Sequence, residues 1–120
     1  MKGLVYLATP YSKYPRCLKW AYIDAAILTG RLLQSGVRAY SPIVHTHPIA
    51  VYAEIDPYDH DIWLPFDEAM MEKSDHLLIA LMDGWNESKG IKHEIEFFRE
   101  CGKPISTLNP ITLDMNYFHS

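Results

Sequence analysis

The sequence predicts a single α/β domain with a parallel sheet, on three observations. Short apolar runs alternate with longer stretches of helical periodicity in the order β, α, β, loop, α, β, α, β, the pattern of crossover units with helices on both faces of a sheet of four to five strands. Glycine, proline and Asp-Gly turns punctuate the periodic segments. The 120 residues are 48% hydrophobic and 22% charged, which suits one domain over residues 1–120 and excludes disorder, collagen-like repeats and a whole-chain coiled coil.

Each element has its own signal. Gly3 to Ala8 is a short apolar run suited to a strand buried on both faces. Thr9-Pro10-Tyr11-Ser12 breaks it, and Pro15 suits the first turn of a helix running to Ser35 with Gly36 as its stop. That helix carries an apolar stripe through Leu18, Tyr22, Ala25, Leu28, Leu32 and Leu33, and a second through Trp20, Ile23 and Ile27. Two stripes call for two partners, the sheet and a neighbouring subunit, or the sheet and other parts of the same chain. Val37 to Val44 reads as the second strand, followed by a long loop to Asp61 rich in His, Pro, Tyr and Asp, with a short helix near Ile49 to Glu54. Asp61 to Lys73 is helical with Pro65 in its first turn, His76 to Met82 a third strand, and Asp83-Gly84 a sharp turn. Ser88 to Cys101 is a helix stopped by Gly102, and Lys103 to Leu108 a fourth strand. The residues from Asn109 onward show no decisive pattern.

Charge narrows the function classes. Eleven Lys plus Arg against fifteen Asp plus Glu give a net charge of −4, the opposite of the basic footprint that duplex nucleic acid requires. Cys17 and Cys101 lack metal-ligand spacing, and no leader or run of 18 apolar residues is present, so a reducing cytoplasm and no membrane partner are expected. In open parallel sheets ligands sit beyond the carboxyl ends of the strands. Chemistry is therefore expected on one rim holding Thr9 to Ser12, His45 to His47 and Asp83 to Ser88.

Glu94 is the sharpest anomaly, because the stripe of Ile91, Ile95 and Phe98 puts this carboxylate in a core-facing slot. A buried unpaired carboxylate is costly and needs a reason, unless the side chain bends out to solvent from the stripe's edge. Gly90, one turn earlier, leaves room for a ligand near the backbone, and Ser88 stands where free N–H groups attract an anion such as phosphate or where it is a plain N-cap. Asp67 repeats the pattern between Trp63 and Met70, although Glu68 and Glu72 show that its helix also has a solvated face. Two carboxylates in different surroundings can divide nucleophile and acid roles, as in retaining glycoside cleavage.

Tyr6-Leu7-Ala8-Thr9-Pro10-Tyr11, Asp67, Asp83-Gly84 leading into Ser88-x-Gly90-x-x-x-Glu94, and Gly102-Lys103-Pro104-Ile105 together resemble the nucleoside 2-deoxyribosyltransferase superfamily over residues 3 to 106. The chain is similar to a small branch near the nucleoside 5′-monophosphate N-glycosidases. The resemblance implies a flavodoxin-like or Rossmann-like three-layer sandwich, no cofactor, and a homo-oligomer with sites shared between subunits. It also implies Glu94 as the nucleophile at the anomeric carbon, Asp67 as the group that helps protonate the leaving base, and Tyr6 as the residue that orients Glu94. Substrate contacts fall on Thr9, Pro10, Tyr11, His45, His47, Asp83, Gly84, Ser88 and Gly90. Serine at position 88, where transferases of free nucleosides commonly have an acid, leans toward a 5′-monophosphate. Thr9-Pro10-Tyr11 stands in place of the glycine- and arginine-bearing loop of the nucleotide hydrolases, so Lys13, Arg16 or Lys89 would supply the positive charge.

Two other readings compete. One is a non-catalytic nucleotide-binding module on the same fold. The other is a metal-dependent phosphohydrolase, in which His45 and His47, placed on one side of an extended segment, join His60, Asp59 and Asp61 as ligands. His93 is expected on the outer, solvated face of its helix.

Overall fold

The computed structural model describes residues 1–118. Five strands and four α-helices follow one another as β1 (Leu4–Ala8), α1 (Leu18–Gln34), β2 (Arg38–Tyr40), α2 (Pro42–Tyr52), α3 (His60–Lys73), β3 (His76–Ala80), α4 (Lys89–Glu100), β4 (Ile105–Leu108) and β5 (Met115–Tyr117), with a 3₁₀ turn at Trp85–Glu87 before α4. The sheet order is β2-β1-β3-β4-β5. The first four strands are parallel, and β5, which had no sequence signal, closes the edge antiparallel to β4.

Alternation along the strands divides the core in two. Val5, Leu7, Leu78, Ala80 and Leu108 pack with Leu28 and Leu32 of α1. Tyr6, Ala8, Leu77, Ile79 and Ile105 pack with Met71 of α3 and Ile91 and Phe98 of α4. Of the second α1 stripe, Trp20 and Ile27 are exposed; so is Leu33 of the first.

The largest departure from the sequence reading lies between residues 37 and 52. The second strand stops at Tyr40, and His45-Thr46-His47 belongs to α2 rather than to an extended segment. Ser41 caps that helix by accepting from the Val44 amide at 3.2 Å, and Pro42 occupies its first turn. Ser-Pro is a strong helix start, and it outweighs both the β-branched Ile43 and Val44 and the internal Pro48. Other differences sit at element ends. Pro15 precedes α1, whose N-cap is Cys17, and Pro65 falls past the first turn of α3 because that helix starts at His60 under an Asp59 cap.

Candidate active site

Two carboxylates meet beside Tyr6. Glu94 enters from α4 and Asp67 from α3, and both act electrostatically on Tyr6 of β1 and Tyr40 of β2. Tyr6 and Tyr40 are partners in the β1–β2 register, with ring centroids 5.7 Å apart. Tyr40 leans on His45 at 6.3 Å, and His45 stacks on Phe66 at 4.5 Å with planes 5° apart. This run of rings leads from Tyr6, which is fully buried, to Phe66, which is 40% exposed.

Burial dominates the electrostatics. Glu94 keeps some accessible surface, but its carboxyl lies deep among protein atoms, and desolvation reinforced by Asp67 pushes it up to about 8. Asp67 rises to about 6 through burial, opposed by His93. Tyr6 favours the Glu94 anion, but its effect is smaller than desolvation, so Glu94 and not Asp67 is the weaker acid of the pair. Both tyrosine hydroxyls are pushed well above the usual phenol range, chiefly by burial and then by the two carboxylates.

Polar atoms here lack partners. Tyr6 Oη, Tyr40 Oη, His45 Nδ1 and Asp67 Oδ1 are all buried without a hydrogen bond among the described residues. Tyr6 Oη lies beside Glu94 but outside hydrogen-bond geometry. His93 is partly buried rather than solvated; its Nε2 sits 3.3 Å from Glu68 Oε2 without hydrogen-bond geometry.

The remaining site residues divide among different surroundings. Tyr11 contacts His47 Nδ1 through its hydroxyl at 2.6 Å, and His47 stacks on Tyr22 at 4.8 Å. On a helix, two residues apart means about 200° of rotation, so His45 and His47 diverge toward different neighbours. Among the described residues no three His, Cys, Asp or Glu side chains converge to hold a metal ion; His60 opens α3 in an exposed position, and Asp59 is spent on capping the Asp61 amide at 3.2 Å. Thr9 and Pro10 are buried, the Thr9 hydroxyl without a partner among the described residues.

Asp83 lines a cavity of about 390 Å³ with Tyr14, Asp24 and Arg31, away from Glu94. Gly84 is required by the chain itself: at φ 91° it packs so tightly on the Lys13 carbonyl that a Cβ would lie 2.2 Å from that oxygen. Ser88 is the N-cap of α4, accepting from the Ile91 amide at 3.2 Å, and it lines a second cavity of about 380 Å³ with Trp85, Lys89, Lys92 and Arg99 and with the carboxylates Glu87 and Glu96. A Cβ at Gly90 would meet Ser88 Oγ at 3.7 Å, and among the described residues no other side chain comes within 4 Å of it. Arg16 is committed to Trp20 and Asp24; of the three cations the sequence offered, Lys89 is the one that lines the cavity with Ser88.

Tyr40 is the site residue that sequence reasoning missed. The available signal was the Ser41-Pro42 cap, which ends β2 at Tyr40 and so puts this ring at the sheet's rim. No curated protein matches the chain at a significant level. Residues 3–109 match the model of a domain of unknown function, DUF1937, and with most of its length matched the chain belongs to the DUF1937 family.

Proposed function

We propose that the protein cleaves the N-glycosidic bond of a nucleoside or nucleoside 5′-monophosphate through a covalent glycosyl intermediate on Glu94. The observation that carries this reading is the meeting of Glu94 and Asp67, both with raised proton affinity, beside the unpaired hydroxyls of Tyr6 and Tyr40. A binding module for a phosphorylated ligand has little use for two inward carboxylates. The matching fold is a flavodoxin-like or Rossmann-like three-layer sandwich, supported by the opposite-parity core clusters along β1 and β3.

Near neutral pH the pair holds one proton, resting mainly on Glu94. The productive arrangement, Asp67 protonated and Glu94 ionised, has the same proton count, so substrate need only relocate a proton within the pair. A base nitrogen accepting from Asp67 stabilises that arrangement. Glu94 then attacks the anomeric carbon, the C–N electron pair leaves with the base, and Asp67 supplies its proton. Water, or the nitrogen of another base, next displaces Glu94 from the sugar and returns a proton to Asp67. Two inversions give net retention. Activity should be bell-shaped in pH, with both limbs belonging to the coupled pair and not to either carboxyl alone.

Monophosphates are the favoured substrates because Ser88 and the backbone amides that open α4 lie beside Lys89 and Lys92. The protein is at least a dimer in this reading, supported by the exposed Trp20 and Ile27 of α1; a 13.8 kDa species in sedimentation at micromolar concentration would exclude it. The deciding experiment incubates the protein with nucleosides and their monophosphates and follows free base by chromatography. Base release that Glu94→Ala abolishes is the expected result. No release from any substrate, or release that survives the substitution, overturns the assignment.

A further inference from the structure

We propose that the site beside Glu94 selects a ribosyl over a 2-deoxyribosyl group, with Tyr40 as the residue that pairs with the sugar's hydroxyls. The inference rests on the glycoside reading above and adds the class of sugar. Native proteins pair the great majority of their buried polar atoms, and each one left over is destabilising. Here four lie close together: Tyr6 Oη, Tyr40 Oη and His45 Nδ1 along one run of rings, and Asp67 Oδ1, whose carboxyl acts on both tyrosines. Apart from an ionised Asp67, which only accepts, these groups are of the kind that both donate and accept.

Their complement is a set of closely spaced groups that also donate and accept, which describes the vicinal hydroxyls of a ribose. An anion fits poorly, because these groups adjoin two carboxyls that already repel one another. A 2-deoxy sugar brings one hydroxyl fewer and leaves a buried group unpaired, and sites built to bond a hydroxyl reject analogues that lack it. Tyr40 is assigned the contact because it retains accessible surface, whereas Tyr6 has none and adjoins Glu94. The register pairing of Tyr40 with Tyr6 sets both rings on the same side of the sheet.

The test uses the full-length Glu94→Gln protein, so that turnover does not blur binding, with the ribo and 2′-deoxyribo forms of the four common nucleosides and their monophosphates as probes in titration calorimetry. At least one ribo form should bind about tenfold or more tightly than its deoxy counterpart, and adding Tyr40→Phe should bring the ratio to within about twofold while circular dichroism stays unchanged. Equal or tighter binding of every deoxy form, absence of binding by any probe, or discrimination that persists in Tyr40→Phe overturns the proposal. Should Tyr40→Phe fail to fold, the ribo-to-deoxy ratio in the Tyr40-intact protein decides alone. Ribo-selective binding without base release by the wild type would refute the glycosidase reading and leave this one standing. Release from deoxy substrates in preference would do the reverse.

Discussion

Val5 and Leu7 leave β1 on one side and Tyr6 on the other, and the two sides of this one strand differ in nearly every physical respect. Toward α1 the contacts are aliphatic: Leu28 and Leu32 meet Leu78, Ala80 and Leu108. Toward α3 and α4 the same sheet holds two phenols, two carboxyls with raised proton affinity and an imidazole. The first side stabilises by removing apolar surface from water at roughly 25 cal/mol per Å². The second gives up part of that gain to keep polar groups buried and unpaired. Alternation with a period of two lets a five-residue strand do both, since neighbours in sequence never share a face.

The contrast breaks most visibly on the α1 side. Leu7→Ala removes a fully buried β1 side chain from the cluster it forms with α1 and β3 and should destabilise the fold by about 2–5 kcal/mol, read as a lowered midpoint in urea. A loss under about 1 kcal/mol would mean that this side collapses around the gap and is not the rigid half of the molecule.

On the other side the corresponding change should stabilise. A Glu94 carboxyl at about 8 binds its proton more tightly folded than unfolded, so its contribution is full below about pH 4.5 and is lost as pH rises through 8. Glu94→Gln keeps the shape without the ionisation. It should match the wild type near pH 4 and exceed it at pH 8 by on the order of 2–4 kcal/mol, because each tenfold gain in proton affinity on folding is worth about 1.4 kcal/mol. Equal midpoints across that range would show that Glu94 is not buried in a site at the expense of stability.

Much of this division was legible in the sequence, for identifiable reasons. The apolar stripe around Glu94 showed that a carboxylate points inward, because a 3.6-residue period fixes which side chains share a face. It did not show which carboxyl holds the proton, since that depends on the relative burial of two groups from different helices. β2 and α2 were misjudged where local signals disagreed: the β-branched Ile43 and Val44 favoured a strand, whereas Ser41 and Pro42 set a helix start. That one-element error hid Tyr40 and aligned His45 with His47, which the helix sends apart. β5 was out of reach because Met115 to Tyr117 pairs through backbone to β4 with little side-chain signature.

A smaller effect sharpens the comparison at the edge of the site. Ser88 accepts from the Ile91 amide, so Ser88→Ala should cost about 1 kcal/mol of stability as a lost N-cap. If phosphate also binds there, the variant should lose most of the wild type's preference for monophosphates over nucleosides, a change that a cap alone does not produce. Stability loss with the preference intact would assign Ser88 to the helix and not to the ligand.

The smallest expected effect on stability is the most discriminating. Tyr6 is fully buried between Tyr40 and Phe98, at 5.7 and 5.9 Å between rings, so its ring is as much a part of the core as Leu7. Its hydroxyl has no partner among the described residues. Tyr6→Phe keeps the packing and deletes a hydroxyl that makes no well-formed hydrogen bond, so little stability is lost with it. The midpoint should move by less than about 1 kcal/mol in either direction. The same substitution removes the one influence that favours the Glu94 anion, so the Glu94 carboxyl should rise further and carry the alkaline limb of activity upward with it. A stability loss like that of Leu7→Ala, with an unmoved alkaline limb, would mean that the Tyr6 hydroxyl serves the fold, and the two sides of β1 would then differ less than their chemistry suggests.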